Sequence, residues 1–419
     1  MSAQSIQLTL PDGSVREYPV GTTSLEVARS IGAGLAKAVV GAELAGRVVD
    51  LREPLTAGGP FRLFTTKSPE AGSFLRHSAE HVLADAVKRL WPDAEYDAGR
   101  QDHSEKFQYD FRFPRAFTPE DLEAIEAKMR EILAEGHEFR RFEVTREQAD
   151  QLFAERGETL KRIRLNDIPD GVPITVYQHG EFLDLCRGPH AQNLGQIGAV
   201  KLLNTSGAYF KGDEANEMLQ RIYGTAFGSA KELEEYERLQ EEARARDHRR
   251  LGTELDLFSF NPLAPAMPFF HPKGALVYNL LVEYIRGLYR RFDYREVITP
   301  QVLDVDLWHK SGHYENYREN MFFTSVEDRD FAVKPMNCPT HCLMYSEDLH
   351  SYRELPIRFA DFGRLHRFER SGVVHGLTRV RSFCQDDAHI YCAPEQIASE
   401  IRSVIGMIRD MNATFGFDQ

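Results

Sequence analysis

The chain has 419 residues, 42% of them hydrophobic and 27% charged, and a formal net charge of −13. That length accommodates roughly two to four globular domains, and the acidic balance excludes a protein that coats nucleic acid through a broad basic field. No apolar run approaches the roughly 20 residues of a membrane-spanning helix, the first residues lack a charged-then-apolar leader, and the five cysteines have no framework spacing, so a cytoplasmic protein with no membrane partner is expected.

Residues 1–64 read as a small α+β unit. Ile6 to Leu10 alternates like a strand, Pro11-Asp12-Gly13-Ser14 is turn chemistry, and Val15 to Tyr18 returns as a hairpin. Thr23 and Glu26 have capping-box spacing and open a helix bearing Leu25, Val27, Ala28 and Ile31. Short strands are predicted near 38–40, 48–51 and 61–64. The order β-β-α-β-β resembles the ubiquitin-like TGS domain.

Residues 65–230 form a second α+β unit. His77 and His81 stand four apart, on one face of a helix, and about 100 residues later Cys186 and His190 repeat the interval across Gly188-Pro189, a turn. Three imidazoles and a thiol are suitable zinc ligands. The same set, with SGAYFKGD at 206–213 and MLQRIYGTAF at 218–227, resembles the editing domain of the threonyl-tRNA synthetase family. Related alanyl-type domains bind zinc at these four positions, whereas the threonyl type is described as hydrolysing seryl-tRNA without metal. The resemblance implies that His77, His81, Cys186 and His190 position water and the tRNA 3′ ribose. Asp184, Lys161 and Tyr109 match further editing positions.

Residues 231–252 carry Glu234 with Arg238 and Glu242 with Arg246 at i,i+4 and only a narrow apolar stripe, so one solvated linker helix closed by Gly252 is predicted. Residues 253–419 form the last unit. It has an amphipathic helix over 275–291, with Val277, Leu280, Leu281, Tyr284, Ile285 and Leu288 on its apolar face, and a strand at 295–299 before Pro300. This is similar to motif 1 of class II aminoacyl-tRNA synthetases, the homodimer element of that class.

The most specific segment is 362–391, FGRLHRFERSGVVHGLTRVRSFCQDDAHIY. It reads as strand, loop and strand, with guanidinium groups suited to phosphate oxygens and a ring suited to a base. It resembles class II motif 2. The resemblance implies ATP binding by Arg367, Glu369, Arg379 and Phe383: Arg367 on the α-phosphate and substrate carboxylate, Glu369 on the adenine amino group, Arg379 on the outer phosphates, Phe383 against the base. Mg2+ accompanies ATP in this class. Arg367, Gln385 and Asp387 are the implied catalytic set, the latter two holding the amino acid. Cys338 in KPMNCPTHC (334–342) and His389 in QDDAHIY (385–391) match positions that bind zinc, together with a later histidine, in the threonyl family. A metal that takes the substrate hydroxyl rejects valine but admits serine, the error a second site would correct. Cys342, Cys384 and Cys392 read as small buried apolar residues.

The expected fold class is therefore α+β and multidomain: a β-grasp TGS domain, an α+β editing domain and a partial class II antiparallel-sheet core. The expected function is a threonine–tRNA ligase, acting on threonine, ATP and tRNA(Thr), that edits mischarged seryl-tRNA(Thr). Family members continue past Gln419 with the third zinc histidine, motif 3 and an anticodon-binding domain, so a fragment or truncated product is expected. The alternatives are a chain acting only as a seryl-tRNA deacylase and a non-catalytic RNA-binding paralogue.

Overall fold

A computed structural model describes residues 5–417. The chain divides between Glu241 and Glu242 into two compact units. The first unit begins with a five-stranded sheet. Ser5–Thr9 pairs antiparallel with Val15–Pro19 and parallel with Gly59–Thr65, which continues to Val39–Leu44 and Arg47–Val49. Helix Ser24–Ile31 starts where Thr23 and Glu26 form the capping box, with Thr23 N–H donating to the Glu26 carboxylate at 2.8 Å. A short second helix, Ala33–Ala38, was not anticipated; it occupies the start of the stretch expected as a strand from 38. Leu8, Val27, Val39, Leu51 and Phe61 fill the core of this layer.

The rest of the first unit is built around the 20-residue helix Ala71–Leu90. Ala79, Ala84 and Ala86 keep it thin, and it packs on the sheet of Ala199–Tyr209, Met218–Phe227, Phe107–Arg112 and Glu95–Gly99 and on helix Pro119–Glu135. Val82, Phe107, Phe111, Ile125 and Met129 are fully or almost fully buried there. Each such side chain contributes about 1.5–3 kcal/mol by leaving water. A separate three-stranded sheet, Arg140–Val144, Ile174–His179 and Phe182–Leu185, is backed by helices Arg146–Glu155 and Thr159–Asn166. Its last strand ends at Leu185 and delivers Cys186 opposite the long helix.

The polar stretch expected as one helix over 231–252 is two. Ala230–Ala245 ends, Asp247 caps a new start by accepting from Arg249 N–H at 2.8 Å, and His248–Glu254 follows. Gly252 lies inside the second helix; a Cβ there would meet the Phe258 ring at 2.4 Å. A short polar side chain beginning a helix competes with continuation of the preceding one, and here it wins.

In the second unit, helix Pro272–Arg291 leads to a strand of only two residues, Arg295–Glu296, rather than five. That strand lies parallel to Ile357–His366, which pairs antiparallel with Ser382–Tyr391. The long pair is the strand, loop and strand expected of 362–391. A second sheet, Val302–Asp304, Arg329–Val333 and Phe322–Val326, and helices Cys338–Ser346 and Ile397–Thr414 complete the unit.

Candidate active sites

The first unit holds a cleft of about 970 Å³ lined by His77, His81, Tyr109, Lys161, Asp184 and Cys186. His190, fully buried, lies behind this wall. His77 and His81 follow from the helix period. Cys186 and His190 share a loop that turns at Gly188, where φ is +70° and a Cβ would stand 2.2 Å from the Tyr177 hydroxyl, so only glycine fits. His77 Nε2 is 3.2 Å and His190 Nε2 3.4 Å from Cys186 Sγ, and one ligand atom from each of the four residues lies within 4.8 Å of the others. Beside them Lys161 Nζ lies 2.5 Å from Asp184 Oδ1 and donates to the Tyr109 hydroxyl at 2.7 Å, while that hydroxyl donates to Asp184 Oδ2 at 2.5 Å. All seven residues expected from sequence are thus brought together.

Burial sets their protonation. It lowers His77 to about 4 and holds His81 and His190 well below the usual histidine range, so all three imidazoles are neutral near pH 7. Burial, with Asp184 beside it, raises the Cys186 thiol far above its ordinary range. The thiol is therefore a poor nucleophile, and neutral imidazoles are the available proton acceptors.

Two residues were missed by sequence reasoning. Glu80 is buried inside the HSAEH string and accepts from Arg100 N–H at 2.8 Å and Gln108 N–H at 3.3 Å; burial raises it to about 8. His103 Nε2 lies 3.1 Å from Glu80 Oε2, and its ring stacks on His77 with centroids 4.3 Å apart. Glu80 stands three after His77 and so shares its helix face, a legible signal. His103 sits in a loop with no period to find it.

In the second unit, Arg367 follows the strand Ile357–His366. Its guanidinium lies 5.1 Å from the centroid of Phe383 and donates to Pro335 O at 3.2 Å. Arg379 Nε donates to Glu369 at 3.0 Å. Gln385, Asp387 and His389 alternate along Ser382–Tyr391, opposite Gly363, Asp361 and Phe359. Asn337 donates to Asp387 at 3.1 Å; Gly363 permits this, since a Cβ there would stand 2.2 Å from the Asn337 amide. Cys338 opens helix Cys338–Ser346, whose His341 was passed over in sequence: its Nδ1 is 2.8 Å from His389 Nδ1. Among the described residues, groups of three or more metal-ligating side chains occur only in the first unit's cleft.

Three family models match the chain: the TGS domain over residues 6–65, the threonyl and alanyl tRNA synthetase second additional domain over 174–223, and the tRNA synthetase class II core domain (G, H, P, S and T) over 322–419. A threonine–tRNA ligase of Carboxydothermus hydrogenoformans is 47% identical over 413 residues, 99% of this chain and 65% of that protein. The chain belongs to the threonyl-tRNA synthetase family. A threonine–tRNA ligase of Bdellovibrio bacteriovorus is 50% identical over 97% of this chain and 63% of its own length, and threonine–tRNA ligase 2 of Bacillus subtilis is 46% identical over 99% of this chain. The chain thus spans about 65% of the length of the synthetases it matches. Among solved structures, the RNA binding domain of threonyl-tRNA synthetase from Cryptosporidium parvum Iowa II is 50% identical, covering 41% of this chain and 43% of that one, at a TM-score of 0.40. Within the described residues no helix is long and apolar enough to cross a membrane.

Proposed function

We propose that this chain is a cytoplasmic threonine–tRNA ligase that activates threonine with ATP and Mg2+, transfers it to tRNA(Thr), and hydrolyses seryl-tRNA(Thr) in its first unit. The observation that carries the ligase reading is the relatedness to threonine–tRNA ligases along nearly the whole chain, with a class II core over the strand pair that bears Arg367. Arg367 holds the α-phosphate as charge builds on it; its stacking on Phe383 leaves it aimed by a packed ring rather than free. The test is threonine-dependent exchange of pyrophosphate into ATP. Arg367→Ala should lower the rate by about 10²–10³-fold, the usual cost of losing one preorganised transition-state donor. No threonine-dependent exchange by the wild type would overturn the ligase reading.

Cys338 and His389 would hold zinc. A thiolate and an imidazole are a suitable donor pair, and the His341 contact engages Nδ1 of His389 and leaves Nε2 as the ligand atom. When bound, the metal supplies a Lewis acid that takes the amino group and hydroxyl of threonine. The amino group and hydroxyl of threonine would complete the coordination, so threonine should raise metal retention through dialysis and valine, which lacks the hydroxyl, should not. Cys338→Ala should abolish that increment. Retention lost with Cys186→Ala instead would move the metal to the other cleft.

A homodimer is the proposed assembly. Leu276, Val277, Leu280 and Leu281 of helix Pro272–Arg291 and Ile298 after it are exposed, an apolar strip that a second copy would cover. Light scattering at micromolar concentration should give twice the chain mass; a stable monomer would count against it.

A further inference from the structure

Within the first unit, the TGS domain of residues 6–65 (the first domain) reaches the hydrolytic cleft of the domain that follows it (the second) with two side chains that the chemistry above does not use, Asp50 buried and Arg52 half-buried. Asp50, 3% exposed, accepts from His190 N–H with Oδ2 at 3.0 Å and from Arg52 N–H with Oδ1 at 2.8 Å. Arg52 donates from Nη1 back to Asp50 at 3.3 Å. Its other two nitrogens go to main-chain carbonyls of the second domain: Nε to Phe139 O at 2.7 Å, Nη2 to Ala191 O at 2.9 Å and to Gln192 O at 2.8 Å. The Phe139 ring stacks on His190 at 4.9 Å and 7° between planes, so one guanidinium grips both the loop that carries His190 and the residue that packs on its ring.

The remaining groups of that loop are anchored within the second domain. Pro189 O pairs with His77 Nδ1 at 2.9 Å, Ala191 N–H donates to Ser78 Oγ at 2.8 Å, and Gln192 N–H donates to Gln196 Oε1 at 2.8 Å. Gln196 in turn donates to Val39 O of the first domain at 2.9 Å. Cys186 stands at the strand end, its N–H donating to Thr175 O at 3.1 Å, whereas residues 188–192 have no helix or strand to hold them, so the bonds above define where His190 stands. A planar guanidinium with fixed donors suits the task of fixing several carbonyls at once; an ammonium does not.

We propose that Asp50 and Arg52 are positioning residues of the deacylating cleft, so that the first domain is a structural part of that site rather than an appended module. The proposal rests on the deacylase reading above. A misplacement of about 1 Å in a reacting group can cost on the order of 100-fold in rate. Serine release from pre-charged seryl-tRNA(Thr) is measured for the full chain, with amide hydrogen exchange of peptides covering 186–192. Asp50→Asn keeps shape and volume but turns one acceptor into a donor that faces an N–H. It should lower kcat by about 10–100-fold with KM within about twofold, and speed exchange in 186–192. Arg52→Lys should act in the same direction. Arg47→Ala, which breaks an exposed ion pair with Glu53 in the same domain, should change neither. Unaltered kcat and exchange in both Asp50→Asn and Arg52→Lys would overturn the proposal, as would a loss confined to KM. If the wild type released no serine, the deacylase reading would fail, while the exchange comparison would still decide whether these residues hold the loop.

Discussion

His77→Ala is expected to slow serine release from seryl-tRNA(Thr) by about 10²–10⁴-fold, the range for removal of a general acid–base group. Of the three imidazoles around Cys186, His77 is the one partly open to the cleft, and its Nε2 faces the sulfur while its Nδ1 is tied to Pro189 O. In the proposed step a water attacks the ester carbonyl carbon, its proton passes to a neutral imidazole, and the ester C–O bond to the ribose breaks as a proton returns to the leaving oxygen. Because burial lowers His77 to about 4, the base form persists across neutral pH. The rate should stay level from pH 8 to pH 5, where a histidine of ordinary pKa near 6.5 would already have lost most of its base form. Cys186→Ala should also slow the reaction, through lost positioning rather than a lost nucleophile, since the thiol stays protonated. Equal rates for wild type, His77→Ala and Cys186→Ala would remove the cleft from the reaction.

What was legible in the sequence was local chemistry at fixed spacing. His77 and His81 share a face because a helix repeats every 3.6 residues, and the capping box at Thr23 and Glu26 formed as its spacing requires. The strand pair around Arg367 and Phe383 was legible because the string is long and ordered. The misses are of a different kind. The break at Asp247 needed a decision between continuing a helix and capping a new one, which differ by about 1 kcal/mol. The strand at 295–299 stops after two residues: beyond them the main chain gives the neighbour one bond, Val297 N–H to Ala360 O at 2.7 Å, and Thr299 reaches it only through its side chain, on Asp361 at 2.9 Å. His103 and Arg52 meet the cleft across 26 and 138 residues of chain, counted to His77 and His190, and no periodicity links such positions. His190, expected in the cleft lining, is close to the sulfur but lies behind the wall, a distinction that only packing makes.

Acid should unfold the first unit well before carboxylate titration would. Five histidines are buried or mostly buried there, and burial is the largest cause of each shift: His77 and His103 fall to about 4, His179 to about 3, and His81 and His190 well below the usual range. In the unfolded chain all five bind protons near 6.5. Between that value and the folded values the unfolded state carries more protons, so stability falls as pH falls. It is fully present above about 6.5 and declines toward about 4. For His77 alone the fall from 6.5 to about 4 is worth about 3 kcal/mol at the acid end. Glu80 opposes this. Its carboxyl, raised to about 8, is protonated in the fold, so its contribution grows as pH falls from 8 toward the unfolded value of about 4.5. Burial also raises Asp85, Asp110 and Glu158, which oppose the histidines in the same direction as Glu80, but the five imidazoles all gain protons in the unfolded chain between pH 7 and pH 5 and set the sign there. Trp91 lies in the first unit and Trp308 in the second, so the fluorescence of a Trp308→Phe variant follows the first unit alone. Its urea midpoint should drop between pH 7 and pH 5 by the equivalent of several kcal/mol. His103→Asn should flatten that slope. A midpoint that held steady or rose on acidification would mean that the imidazoles are charged in the folded protein, and that the neutral-base chemistry assigned to His77 is wrong.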